Sequence, residues 1–268
     1  MKIRLILSNG NYKSGSTWVT AIVKEMIDYN ERNFPIKFQQ PKRPNYINRY
    51  KISTFINKHK DEIWISKTHI SERSIINQLN VDSELIKVIN INRDLRDVVV
   101  SHYFHLQNNK KYNGTFQTYF SKWGKFKAIQ VFDYEKSWEN NKNSLNIKYE
   151  DLINNFDKTI FTIAEYLNIT MSDQLLNKIR LNTNIQTLRS NKQGKLHEKK
   201  WFFRKGEIGD WKNYLDHSMI SDIKRIQNNK LSIKELLLYT IKFRIRIKFK
   251  LMIYRFMPRL FPFVDKFI

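Results

Sequence analysis

The chain of 268 residues contains no cysteine. That excludes disulfides, thiolate zinc sites and a cysteine nucleophile, and it fits a reducing compartment. It also lacks an apolar run approaching the roughly 20 residues that span a bilayer. The opening MKIRLILSNG has a basic start, but its apolar stretch is too short for a signal peptide and polar turn residues cut it off. Acidic residues are scarce: 25 Asp and Glu stand against 48 Lys and Arg, for a formal net charge of +23. Such a balance favours anionic partners, among them nucleotides, nucleic acid, acidic lipid and sulfated glycan. The chain is also crowded with Lys, Asn and Ile, so the charge supports anion handling and nothing sharper.

The length suits one large domain, or one domain with an appendage. Strand-like and helix-like stretches alternate, which predicts an α/β fold with a central, mostly parallel sheet flanked by helices. IRLIL (3–7), EIWIS (62–66), LIKVINI (85–91) and SLNIKYE (144–150) read as strands. TWVTAIVKEMIDYN (17–30), LRDVVVSHYFH (95–105) and FDKTIFTIAEYLNI (156–169) read as helices. A loop-rich stretch with Pro35, Pro41 and Pro44 follows the first helix. The pattern shows no repeats, and no interdomain linker before about residue 215.

Four clusters carry chemistry. In SNGNYKSGSTW a strand runs through a small polar turn into a helix, a way of cradling phosphate with backbone N–H groups. Gly10 and Gly15 have the separation of a nucleotide-triphosphate loop, but Ser16 and Thr17 follow Gly15, and the lysine, Lys13, lies inside the loop. A Ser or Thr helix cap alone also explains this turn. In WISKTHIS, Lys67 and His69 lie just past a strand, at the sheet edge where α/β folds bind ligands. An imidazole there suits a general base, although a loop His is commonly just solvated. In NRDLRDVVVSHYFH, Arg93 ends a strand and Ser101 follows within the helix, a guanidinium fork and a hydroxyl for an anion. Pairing of Arg93 with Asp94 or Asp97 is the plainer alternative. In FRKGEIGDWK, Arg204, Lys205, Gly206 and Gly209 suggest a flexible basic loop that closes on an anion.

Taken together, in this order and spacing, the four clusters resemble the cytosolic-type sulfotransferases, which use 3′-phosphoadenosine 5′-phosphosulfate (PAPS). The phosphosulfate loop of that family reads Tyr-Pro-Lys-Ser-Gly-Thr-Thr-Trp, and NYKSGSTW stands in its place with Tyr12 at the proline position. The family's Lys-Thr-His matches Lys67, Thr68 and His69. Its 3′-phosphate Arg and Ser match Arg93 and Ser101, and its Arg-Lys-Gly-x-x-Gly-x-Trp-Lys matches Arg204 through Lys212. Weaker matches at 115–123, 137–139, 148–152 and 162–169 carry the similarity over residues 3–215.

The resemblance implies a PAPS-dependent enzyme with no metal. It casts Lys13 as stabilising charge on the leaving 5′-phosphate. Ser14, Gly15, Ser16 and Thr17 would hold the phosphosulfate, and Trp18 would stack on adenine. His69 would deprotonate the acceptor hydroxyl, with Lys67 near the sulfuryl oxygens. Arg93, Ser101 and Arg204, with Lys205 and Gly206, would read the 3′-phosphate, while Tyr149, Thr183 and Ile185 would line the adenine side. Tyr12 for proline bears on the loop's rigidity. Ile185 replaces an aromatic, and the family's dimer motif after Lys212 is not recognisable, so oligomeric state stays open.

Two rivals compete. A P-loop kinase or NTPase needs a Lys after Gly15, where Ser16 stands. A nucleic-acid or anionic-surface binding module explains the charge but not Lys13, His69, Arg93 and Arg204 in this order, so no nucleic-acid partner is expected. The acceptor is read as a small molecule such as a phenol or alcohol, a carbohydrate or a glycolipid, with an amine as the alternative to a hydroxyl. Loops 33–61 and 106–126, with Tyr46, Tyr50, Phe104, Tyr112, Phe116 and Trp123 in and around them, are its expected walls. Residues 1–215 read as the sulfotransferase domain and 216–268 as a basic, aromatic extension of it. Within 231–268, nine Lys or Arg face two acids, and from Ile241 to Lys250 apolar and basic residues alternate with a strand period. Such a segment suits the inner face of an anionic membrane, around an otherwise cytoplasmic enzyme, and equally suits packing on the core.

Overall fold

The computed structural model describes residues 3–30, 36–39, 56–57, 62–81, 83–188, 204–239 and 241. In chain order its elements are β1 (Leu5–Gly10), α1 (Ser16–Asn30), β2 (Ile36–Gln39), β3 (Ile63–Thr68), α2 (Arg73–Val81), β4 (Ile86–Asn92) and α3 (Leu95–Asn108). Then come α4 (Phe116–Tyr119), a π-helical turn (Phe120–Gly124), α5 (Lys125–Trp138), β5 (Ser144–Lys148), α6 (Tyr149–Asn154), α7 (Phe156–Tyr166) and α8 (Asp173–Thr183). A 3₁₀ turn (Asp210–Asn213), α9 (His217–Gln227) and α10 (Ile233–Tyr239) complete the described chain.

The strands form one sheet in the order β2-β3-β1-β4-β5, with every neighbouring pair parallel. The chain builds β2 and β3 on one side of β1 and β4 and β5 on the other. A switch point therefore lies at the carboxyl end of β1, where open α/β sheets bind ligands. The expected strands and helices are present with ends moved by a few residues. β2 is a difference, because it lies in the stretch read as loop. Four residues behind Pro35 carry too little pattern to announce a strand, and the pairing of Ile36–Gln39 with Ile63–Ser66 supplies what the local sequence does not.

Apolar side chains cover both faces of the sheet. Val19, Ile22, Val23, Met26 and Ile27 repeat at helical spacing on α1 and are buried with Ile160 and Ile163 of α7 and Leu175 and Ile179 of α8. Each such side chain contributes roughly 1.5–3 kcal/mol when fully buried. On another face Leu5 and Leu7 meet Ile75 and Leu79 of α2 and Trp138 of α5. A further core joins α3, α4, α5 and α9 through Val99, Tyr103, Phe116, Tyr119 and Ile223. Phe116, expected at the acceptor wall, is thus a core residue at 6% exposure. Most of loop 33–61, and the alternating segment beyond Ile241, lie outside the described residues. Among the described residues no helix is long and apolar enough to cross a membrane.

A row of amides, buried at Asn9 and Asn90 and reaching the surface at Asn146, crosses the sheet near its carboxyl edge. Asn9 donates to Asn90 Oδ1 (3.3 Å), and Asn90 donates to Asn146 Oδ1 (2.9 Å). Asn9 Oδ1 accepts from Thr68 Oγ1 (2.9 Å) and from the Ile70 N–H (2.8 Å), while its amide donates to the Ile70 carbonyl (3.2 Å). From above, Tyr134 donates to Asn90 and Trp138 Nε1 donates to the Ile70 carbonyl. Buried amides are tolerated only when so paired. Replacing Asn9 by Leu would strand several of these groups. It is expected to lower stability by at least about 2 kcal/mol, seen in urea titration as a lower midpoint at unchanged slope.

Candidate active site

Three chain segments leave the carboxyl edge of the sheet and meet over the end of β1. The first is the β1–α1 loop. Lys13 has φ 78° and Gly15 φ 106°, conformations that turn N–H groups towards one side of a chain. Glycine is required at position 15: a Cβ there would stand 2.7 Å from Tyr149 Cδ2 and 3.1 Å from Ile91 Cδ1. The Ser14 N–H and hydroxyl both bind the Asn11 carbonyl, at 3.1 and 2.6 Å, and close the turn.

The second segment is the end of β3 and the residues after it; Lys67, expected just past the strand, is its penultimate residue and pairs with Ser8 of β1. Lys67 Nζ donates to Thr17 Oγ1 at 3.3 Å, linking it to the start of α1. His69 Nδ1 lies 2.5 Å from the Gly10 carbonyl. A carbonyl only accepts, so Nδ1 carries the ring proton and Nε2 is the basic nitrogen. Ile70, held by Asn9 on both its N–H and its carbonyl, fixes the backbone beside this imidazole. The Tyr12 ring meets the His69 ring edge-on, with centroids 5.6 Å apart.

The third segment joins the end of β4 to the 204–211 loop. The Arg93 guanidinium lies 4.2 Å from the centre of the Tyr149 ring and donates to the Glu207 carbonyl at 3.0 Å. Among the described residues its Nε is buried without a hydrogen-bond partner, as is Trp18 Nε1. Asp97 of α3 anchors the loop by accepting from the N–H groups of Gly209 (2.8 Å) and Trp211 (3.0 Å). Arg204 and Lys205 both bind the Asp210 carboxylate, Lys205 at 2.7 Å.

One cavity is lined by Tyr12 and Glu207 together with thirteen expected site residues: Lys13, Gly15, Ser16, Thr17, Trp18, Lys67, His69, Arg93, Ser101, Tyr149, Arg204, Lys205 and Gly206. Three others are placed differently. Ser14 is buried beneath the loop, bonded to Asn11. Thr183 is buried and donates to the Ile179 carbonyl. Ile185 packs behind the basic loop against Gly206. Trp18 is only 5% exposed and stacks on Phe156, so a small part of its ring faces the cavity. Sequence reading left Glu207 and Asp210 without a role and treated Tyr12 only as a departure; it offered Asp94 or Asp97 as partners of Arg93, whereas Asp94 binds Arg96 and Asp97 binds the loop backbone. The acids interleaved in RDLRD and RKGEIGDWK were the available signal.

A sequence profile for the sulfotransferase domain matches residues 5–235. The chain belongs to the sulfotransferase family. The chain is 28% identical to zebrafish (Danio rerio) sulfotransferase 6B1 over 160 residues, 54% of this chain and 52% of that one. It is 31% identical to mouse (Mus musculus) sulfotransferase 1B1 over 162 residues, 54% of each chain. In these alignments the chain spans about half the length of the curated relatives it matches. Its fold is shared with mouse sulfotransferase SULT7A1 complexed with PAP, at a TM-score of 0.69 and 22% identity, covering 88% of this chain and 86% of that one.

Asp210 holds the basic loop in shape. Burial works against its charge, but hydrogen bonds from Lys205, Arg204 and Asn213 outweigh this and hold the carboxyl at about 2, below the usual 3.8. A depressed carboxylate contributes stability that is full above its ordinary value and lost as pH falls through the folded one. Asp210→Asn is therefore expected to destabilise the protein by on the order of 2 kcal/mol near neutrality. In urea titrations the gap from wild type should narrow as pH falls from about 4 towards about 2.

Proposed function

We propose that this sulfotransferase moves a sulfuryl group from PAPS to an acceptor hydroxyl by in-line displacement, without a metal. The observation that carries the reading is the convergence on one cavity of a phosphate-type loop, an imidazole with a fixed tautomer, and a separate guanidinium–ammonium group. The mouse structural neighbour was solved with PAP, the product nucleotide 3′-phosphoadenosine 5′-phosphate. The residues present suit such a donor. Arg93 Nε and Trp18 Nε1 are buried donors with no partner among the described residues, and a phosphorylated adenine nucleotide offers acceptors to both.

In this reading the β1–α1 loop binds the 5′-phosphosulfate through its N–H groups and the hydroxyls of Ser16 and Thr17. Ser14 acts indirectly, by closing the turn. Lys13 stabilises negative charge on the 5′-phosphate as the S–O bond lengthens, an electrostatic contribution absent from the ground state. Lys67, tied to Thr17, lies beside the departing sulfuryl group. His69 accepts the acceptor's hydroxyl proton at Nε2, while Nδ1–H stays on the Gly10 carbonyl and keeps the ring oriented. Arg93, Ser101 and Lys205 bind the 3′-phosphate, and Arg204 holds the loop through Asp210. Tyr149 and the exposed part of Trp18 face the base. Thr183 and Ile185 support that side from behind. The acceptor is a small molecule, carbohydrate or glycolipid bearing a hydroxyl.

Transfer of radiolabelled sulfuryl from PAPS to a panel of hydroxyl acceptors tests the reading. His69→Ala is expected to keep PAP affinity within about twofold while turnover falls roughly a hundredfold or more, the usual worth of a general base. Wild-type turnover in that variant would place the base elsewhere, with Glu72 next to be examined.

A further inference from the structure

We propose that Lys127 is a positioning residue of the donor loop, and that its own charge follows the occupancy of that loop by phosphate. The residue lies on α5, only 4% exposed. Its Nζ donates to Asn11 Oδ1 at 2.7 Å and to Gln130 Oε1 at 3.1 Å. Asn11 in turn donates from its amide to the Gln130 carbonyl at 3.2 Å, and its own carbonyl receives both Ser14 bonds. The turn that presents Lys13 and Gly15 is thereby strapped from beneath to α5. The resembled family has a ring-constrained proline at position 12, where this chain has Tyr. The Lys127 side chain, bonded between two amides, supplies rigidity from outside the loop instead.

The groups named around Lys127 are neutral or cationic. Lys13 faces it from the loop, and the Tyr12 ring centre lies 5.7 Å from its Nζ. His102 and His105 lie close by on α3, with Tyr119 of α4 bonded to His102 at 2.8 Å and His69 on the far side of Tyr12. Both hydrogen-bond partners of the ammonium are neutral amides. Burial, and then the charge of Lys13, bring Lys127 down to about 7. Burial, followed by the charges of Lys127, His105 and Lys13, pushes His102 well below its ordinary value. Near pH 8 both side chains are thus mainly neutral when the loop is empty.

A multiply charged phosphate in the loop reverses the field that Lys13 imposes on Lys127. The neutral amine then takes one proton from the buffer and becomes an ammonium, so nucleotide binding and protonation favour each other. This inference rests on the loop being the seat of the nucleotide's 5′-phosphate. At about pH 8 the phosphates, with a second pKa of about 6, are already ionised and do not obscure the count.

Calorimetric titration of the full chain with PAP at about pH 8, in two buffers of different ionisation enthalpy, reads the protons directly. Wild type is expected to take up most of one proton, and its PAP affinity should fall severalfold, up to about tenfold, per pH unit above neutrality. Lys127→Met should show no such uptake and a flat pH profile. Asn11→Asp keeps the lysine but gives it a permanent carboxylate partner, and it should lose the uptake as well. His69→Ala should keep it. Binding without buffer dependence in wild type, or unchanged uptake in Lys127→Met or Asn11→Asp, would overturn the Lys127 inference while leaving the donor reading intact. Loss of the uptake in His69→Ala would assign the proton to His69 and overturn it too. Failure of wild type to bind PAP at all would overturn both.

Discussion

The row of amides from Thr68 through Asn9 and Asn90 to Asn146 fixes the edge on which the site is built. Each of the three segments that reach the cavity leaves one of these strands within four residues of the row. Gly10 follows Asn9, His69 follows Thr68, and Arg93 lies three residues past Asn90. An amide buried in a sheet is costly unless every donor and acceptor finds a partner, and that demand admits one register. A slip of one residue would break the row as well as invert the apolar faces. The row thus turns the positions of a loop, an imidazole and a guanidinium into consequences of strand pairing. Functional groups set by rigid elements keep their mutual distances better than groups set by loops alone.

The second constraint is electrostatic. A chain with a net charge of +23 gathers Lys13, Lys67, Arg93, Arg204 and Lys205 around one cavity, and such a cluster repels itself unless anions are near. The protein supplies some of its own. Asp210 takes Arg204 and Lys205, and the Glu207 carbonyl takes Arg93. Asp97 spends its charge on the backbone N–H groups of Gly209 and Trp211, pinning the loop without neutralising its cations. In the proposed reading, a phosphate that enters would meet donors already aimed, which lowers the ordering cost of binding. Lys127 belongs to the same balance from below, where burial and Lys13 act together.

Much of this was legible in the sequence because the signals are local. Gly10 and Gly15 announce a turn that side chains would obstruct, and Lys67, His69 and Arg93 each stand just past an apolar run. The helices were equally plain, α1 for instance repeating Val19, Ile22, Val23 and Met26 on one face. What escaped depends on pairing between distant segments. Asn9 and Asn90 look like interruptions of apolar strands until the register sets them side by side. Lys127, in KFKAIQVF, reads as a solvent-facing lysine, and only the approach of Asn11 from 116 residues away shows that it is buried. Thr183 and Ile185 were carried by resemblance alone, and the packing of α8 turns Thr183 inward to its own helix. β2 is four residues long and owes its existence to β3.

The central claim is that the cations at Arg93 and Lys205 recognise a 3′-phosphate while the β1–α1 loop holds the 5′ end of the same nucleotide. Calorimetry comparing PAP with AMP, which differ only in that 3′-phosphate, tests it most directly. Charge-assisted hydrogen bonds worth about 1.5–3 kcal/mol require PAP to bind at least roughly tenfold more tightly, with the advantage lost in Arg93→Ala. Equal affinity for the two nucleotides, or a preference for PAP that survives Arg93→Ala unchanged, would contradict the account.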